Sequence, residues 1–195
     1  DEVWRGTVPA GASAEELGDA VMDAYAAIDE WKRARGERGV NKAPDRVQDY
    51  QVEGKEADDM GVMTVSVNRE GNRLLLLPYV ECWGVDRLTD RFFASLKGPD
   101  VTAEDVGGAL LDAFAFIERT GPLELSLEEQ ENFWRHDTRY RTYRAFVRNN
   151  DLVEVTNYKD KEYWVYAYPP RIGDDWDDEV WRGTVPAGAS AEELG

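Results

Sequence analysis

Residues 1–18 and 178–195 carry one and the same sequence, DEVWRGTVPAGASAEELG. Two identical segments therefore contend for one place in whatever fold the chain adopts. A second, diverged repeat lies inside: Ser13 to Ile28 lines up with Thr102 to Ile117, 89 residues further on. The terminal copies are 177 residues apart, close to twice that spacing. Repeats of this kind are read before anything else, because they set the unit of architecture. The chain reads as a cycle of two half-units that begins a second lap at Asp178. Residues 1–177 then form a single domain in rotated order, and residues 178–195 duplicate residues 1–18. The absence of an initiator Met agrees with a processed, trimmed or rearranged chain.

Both repeated segments open as helices for one physical reason. Ser13 and Thr102 are hydroxyl N-caps, and Glu16 and Asp105 stand three residues on, where a carboxylate completes a capping box. The acids also suit the positive end of the helix dipole. Leu17, Val21, Ala24, Tyr25 and Ile28 follow at helical spacing, as do Val106, Leu110, Ala113, Phe114 and Ile117. Gly18 and Gly107 recur early in each helix, where glycine costs about 1 kcal/mol relative to alanine. A close backbone contact is the expected compensation. A phosphate cradle is not, because the flanking residues are acidic and no strand with GxGxxG surrounds them.

Hairpin sequence precedes each helix. Met63–Val67 and Arg73–Leu77 flank a glycine-containing turn, Asn68–Asn72, with Pro78 expected to end the second strand. Leu152–Thr156 and Tyr163–Ala167 flank a second turn, followed by Pro169 and Pro170. Tyr163, Trp164, Tyr166 and Tyr168 fall along that last strand, where core packing accounts for one face and leaves the other open. Val3–Val8 and Arg144–Val147 read as further strands, and Asp86–Leu96 and Leu127–Arg135 as helices, the latter capped by Ser126 and Glu129. Lys32–Asp58 is polar and aperiodic, and reads as a long connection. The expectation is an α+β fold of two diverged half-repeats, each an antiparallel hairpin followed by a capped amphipathic helix. The surplus terminal copy would stay apart or fill the same place in a neighbour, giving a domain-swapped homo-oligomer.

Charge narrows the function. Forty acids against 23 bases give −17. Each terminal copy holds four acids (Asp1, Glu2, Glu15, Glu16) and one base (Arg5), so counting it once leaves −14. A field of that sign repels nucleic acid and anionic membrane and attracts basic partners. No apolar run has the length of a membrane span. The single cysteine, Cys82, forms no internal disulfide and favours a reducing compartment. The sole histidine, His136, has no Cys or His partner for a metal site, and Asp174–Glu179 lacks the ligand spacing and central glycine of an EF-hand. With no GxSxG, P-loop or Cys/His pair either, neither an enzyme nor a cofactor is expected. The expected partner-binding residues are the acidic run around two tryptophans: Asp174, Asp175, Trp176, Asp177, Asp178, Glu179 and Trp181. Aromatic residues anchor interfaces and surrounding acids steer a basic partner.

Taken in rotated order, Leu152–Ala167, the Val-Pro and the helix opening at Ser13, then Met63–Pro78 and the helix opening at Thr102, resemble the immunity proteins of bacterial contact-dependent growth inhibition. That resemblance implies a small cytoplasmic protein that binds the toxic domain of a surface effector, commonly a nuclease, and blocks its active site. The alternative is an acidic structural or scaffold protein with no toxin partner.

Overall fold

The computed structural model describes residues 3–38, 62–82, 85–135, 140–158 and 162–168. Among them are seven strands in one antiparallel sheet and four α-helices, an α+β arrangement. The strands are β1 (Trp4–Pro9), β2 (Val62–Glu70), β3 (Arg73–Cys82), β4 (Val85–Leu88), β5 (Ala94–Lys97), β6 (Asp151–Tyr158) and β7 (Glu162–Tyr168). The helices are α1 (Ala14–Arg38), α2 (Ala103–Thr120), α3 (Leu127–Asn132), which tightens into a 3-10 turn at Phe133–Arg135, and α4 (Tyr143–Asn149).

The sheet runs β1-β7-β6-β2-β3-β4, with β5 also paired to β3. Hairpins β2–β3 and β6–β7 meet at its centre, where Val65 pairs with Val155. On the far side of β7 lies β1, which leads into α1; on the far side of β3 lies β5, which leads into α2. The place beside β7 is thus filled by the amino-terminal copy of the duplicated segment. The other copy, 178–195, lies outside the described residues.

Both long helices start as their caps dictate. The Ser13 hydroxyl accepts from the Glu16 N–H while the Glu16 carboxylate accepts from the Ser13 N–H, and Thr102 and Asp105 repeat the exchange. The helices cover one face of the sheet. Leu17, Val21 and Ile28 of α1 and Val106 and Leu110 of α2 are fully buried with Val65, Val67, Val153, Val155 and Val165. Each such side chain contributes about 1.5–3 kcal/mol by leaving water. The first turns of α1 and α2 pass at backbone distance: a Cβ on Gly18 would fall 1.8 Å from the Ala103 oxygen, and one on Gly107 would fall 1.6 Å from the Ala14 oxygen. This brings two positive dipole ends together, and Glu15, Glu16, Glu104 and Asp105 offset them.

Several sequence expectations are corrected. Residues 86–96 are two strands and a bend, not a helix. Their apolar side chains have helical spacing but serve opposite faces of the sheet: Leu88 packs with Leu75 and Leu77, whereas Phe92 and Leu96 join the helix-covered core. Arg144–Val147 lies in α4 rather than a strand. Thr142 caps it by accepting from the Ala145 N–H, Asn150 donates to the Phe146 carbonyl at its end, and Phe146 fills the space over Leu75 and Leu77.

Pro78 does not end its strand. The Pro78 carbonyl accepts from the Thr89 N–H, so its missing N–H faces the same side, at the step where the partner of β3 changes from β5 to β4. A proline is tolerated where the ladder is already interrupted. The first hairpin turn shortens to Gly71-Asn72, with φ 60° at Gly71, because β2 continues to Glu70. The polar connection begins later than Lys32, since α1 continues to Arg38.

Candidate functional site

Side chains alternate along a strand, so burying Tyr163, Val165 and Ala167 of β7 against the helices turns Glu162, Trp164, Tyr166 and Tyr168 to the opposite face. Over β3 that opposite face is closed by Phe133 and Phe146. Over β1, β7 and β6 it is lined by aromatic and polar groups, exposed at Arg5 and Thr7, half-buried at Trp164, Tyr166 and Glu154, and buried at Thr156 and Ser66. Strand register sets them in two rows, Thr7–Trp164–Thr156–Thr64 and Arg5–Tyr166–Glu154–Ser66.

The rings form a continuous group. Trp164 lies 5.6 Å from Tyr158 and 6.1 Å from Tyr166 between centroids. The guanidinium of Arg5, an exposed residue, lies over both neighbours, 5.6 Å from the Trp164 ring and 5.2 Å from the Tyr166 ring. The Trp164 indole N–H donates to Glu162 Oε1 at 2.7 Å, and Thr64 and Thr156 join their hydroxyls at 3.1 Å. Beside Tyr166, the Tyr79 hydroxyl donates to Glu154 Oε1 at 3.1 Å.

The electrostatics follow from partial burial. Loss of water raises the Glu154 carboxyl above the ordinary carboxylate value, and the Tyr79 hydrogen bond offsets only part of this. Burial and the adjacent Glu154 push the Tyr79 phenol well up, and burial with the neighbouring Tyr158 does the same to Tyr166. The phenols remain hydrogen-bond donors through the physiological range. The face therefore offers flat π surfaces, hydroxyl donors and a carboxylate that gains from meeting a cation.

A second polar cluster ties the layers together. Arg69 of β2 donates to both carboxylate oxygens of Asp29 on α1 and to Asp151 of β6, and lies 4.4 Å over the Tyr25 ring. Lys32 pairs with the remaining Asp151 oxygen, and Tyr25 donates to the Val67 carbonyl. Bidentate and stacked at once, this arginine has the geometry that lysine cannot copy. Its partners are all within the chain, and its role is to hold α1 on the sheet. The outer surface of the helix layer is acidic, with Glu15, Asp19, Asp23 and Glu30 of α1 and Glu104, Asp112 and Glu118 of α2 on it.

The acidic run Asp174, Asp175, Trp176, Asp177, Asp178, Glu179 and Trp181, expected from the sequence to bind the partner, lies outside the described residues, as does His136. Cys82 is a buried free thiol packed beside Leu125. The aromatic strand is legible in the alternation of Trp164, Tyr166 and Tyr168. Arg5 and Tyr79 are not, because each joins the face through pairing between strands distant in sequence, whereas Glu154 comes from the other strand of the same hairpin, directly across from Tyr166. Among the described residues, no helix is long and apolar enough to cross a membrane.

Fold and face together define an α+β protein with a helix-covered sheet whose other side carries a half-open aromatic surface. No family model matches the chain, and no curated protein or solved structure matches it either.

Proposed function

We propose that this chain is an immunity protein: it binds a basic bacterial toxin domain of nuclease type and neutralises it by occluding the active site. The observation that carries the reading is the half-open sheet face, where Trp164 and Tyr166 lie among carboxylates in a chain of charge −17. Aromatic rings supply rigid contact area at low entropic cost. The acidic field speeds encounter with a basic partner and repels the nucleic acid such a partner would grip. The same reading makes the protein a non-enzymatic, cytoplasmic binder.

We also read the fold as two diverged half-repeats, β6–β7–β1–α1 and β2–β3–β5–α2. Three features support this: the matched order of pairing, the two capping boxes, and the reciprocal approach of Gly18 to Ala103 and Gly107 to Ala14.

The test is to mix the purified protein with the toxin domain encoded beside it. The expected result is a one-to-one complex that abolishes nuclease activity and weakens as salt rises. Undiminished nuclease activity with no complex would overturn the proposal in favour of an acidic scaffold.

A further inference from the structure

We propose that the ring pair Trp164 and Tyr166 is a docking site for a guanidinium or ammonium side chain of a partner protein, and that Arg5 occupies this site in the unbound molecule. The inference rests on the reading above only for the source of the incoming cation. The chemistry of the site is visible in its present occupant. The Arg5 guanidinium lies 5.6 Å and 5.2 Å from the two ring centroids, within the range in which a ring quadrupole attracts a cation.

The surroundings fit a cation better than any other group. Glu162 accepts from the Trp164 indole N–H at the rim. Glu154 faces Tyr166 across the strand pair, half-buried and held by Tyr79. A cation arriving from a partner would find the same rings and the same carboxylates, provided that Arg5 swings away. Arg5 is exposed and projects from a strand at the sheet edge, so its side chain can leave without disturbing the core. The arrangement also confers selectivity: only a cation that competes with Arg5 gains the site, whereas a neutral side chain would give up the cation–π contact and return nothing.

The experiment follows the indole N–H resonance of Trp164 in the full-length, nitrogen-15-labelled chain, assigned with Trp164→Phe. The probes are N-acetyl-arginine amide and its flat, neutral counterpart N-acetyl-citrulline amide. In Arg5→Gln the arginine probe is expected to shift the Trp164 signal saturably, at concentrations about two- to fivefold lower than in the wild type. Arg5→Lys should restore the wild-type behaviour, and citrulline should produce no saturable shift. Equal responses to the two probes, or a midpoint indifferent to residue 5, would overturn the proposal. A thermal melt of Arg5→Gln matching the wild type verifies that the fold is retained. The two readings fail separately. A toxin complex of undiminished affinity with Trp164→Ala would sink the docking site and leave the binder. A saturating arginine probe with no toxin complex would support the site and sink the immunity reading.

Discussion

Gly107 of α2 lies directly against the carbonyl of Ala14 in α1, so close that a methyl group would fall 1.6 Å from the oxygen. The neighbouring Gly108 faces open space, and a methyl group there would meet nothing within 4 Å. Two adjacent glycines in one helix should therefore respond to alanine with opposite signs. Gly107→Ala is expected to lose about 1–3 kcal/mol, as overpacking does. Gly108→Ala should gain up to about 1 kcal/mol from helix propensity. Urea denaturation midpoints of the two variants provide the check, and Gly18→Ala should behave as Gly107→Ala.

Glu154 has a folded-state pKa above its ordinary 4.5 because it is removed from water. The folded protein holds this proton at pH values where the unfolded chain has released it. The contribution to stability is therefore full below 4.5 and is lost as pH rises through the raised value. Glu154→Gln keeps an acceptor for Tyr79 and carries no charge. It should raise the melting temperature at neutral pH, with the difference from wild type shrinking as the pH is lowered to the ordinary carboxylate range. A constant difference across that range would refute the assignment. A carboxylate that costs stability at neutral pH in the free protein is one that a basic partner can relieve.

Glu129 shows the reverse case. Its hydrogen bonds to Arg91 and to the Ser126 cap lower its pKa to about 2. The stabilisation is present above the ordinary 4.5 and disappears as pH falls through about 2. Carboxyl-carbon NMR should find Glu129 titrating well below the ordinary glutamate value. Arg91→Ala should move it upward, and the Ser126 bonds should keep it from returning fully to 4.5.

Val8 of β1 is buried in the main core, paired across from Tyr163. Val8→Asp places an unpaired charge there and should destabilise by about 3 kcal/mol or more. The matching change in the second copy, Val185→Asp, should leave the melting temperature unchanged, since residues 4–9 already fill the place beside β7. Equal losses from both changes, read by calorimetry, would show that the copies share that place.

The helices with capping boxes are legible from sequence because a cap and an apolar stripe are local signals. Ser13, Thr102 and Ser126 each announce their helix within four residues. Residues 86–96 mislead because Leu88, Phe92 and Leu96 have helical spacing, and what separates them is the sheet that passes between them. Phe146 misleads because a four-residue window around it leaves out the Thr142 cap. The aromatic face is half legible. Alternation along β7 reveals Trp164 and Tyr166, but bringing Arg5 beside them takes a pairing that spans most of the chain, and Glu154 joins only through the neighbouring strand.

The middle of the sheet is built from strands of distant parts of the polypeptide. The central strand β2 pairs with β6, and β1 is held by β7, so residue 4 meets residue 167. The β2–β3 hairpin by itself leaves one edge of β2 without the β6 strand that pairs with it in the fold, and the apolar faces of α1 and α2 lack the β6–β7 part of the core they cover. Complete folding must therefore wait for the β6–β7 hairpin, and the high sequence separation of these contacts slows the final assembly.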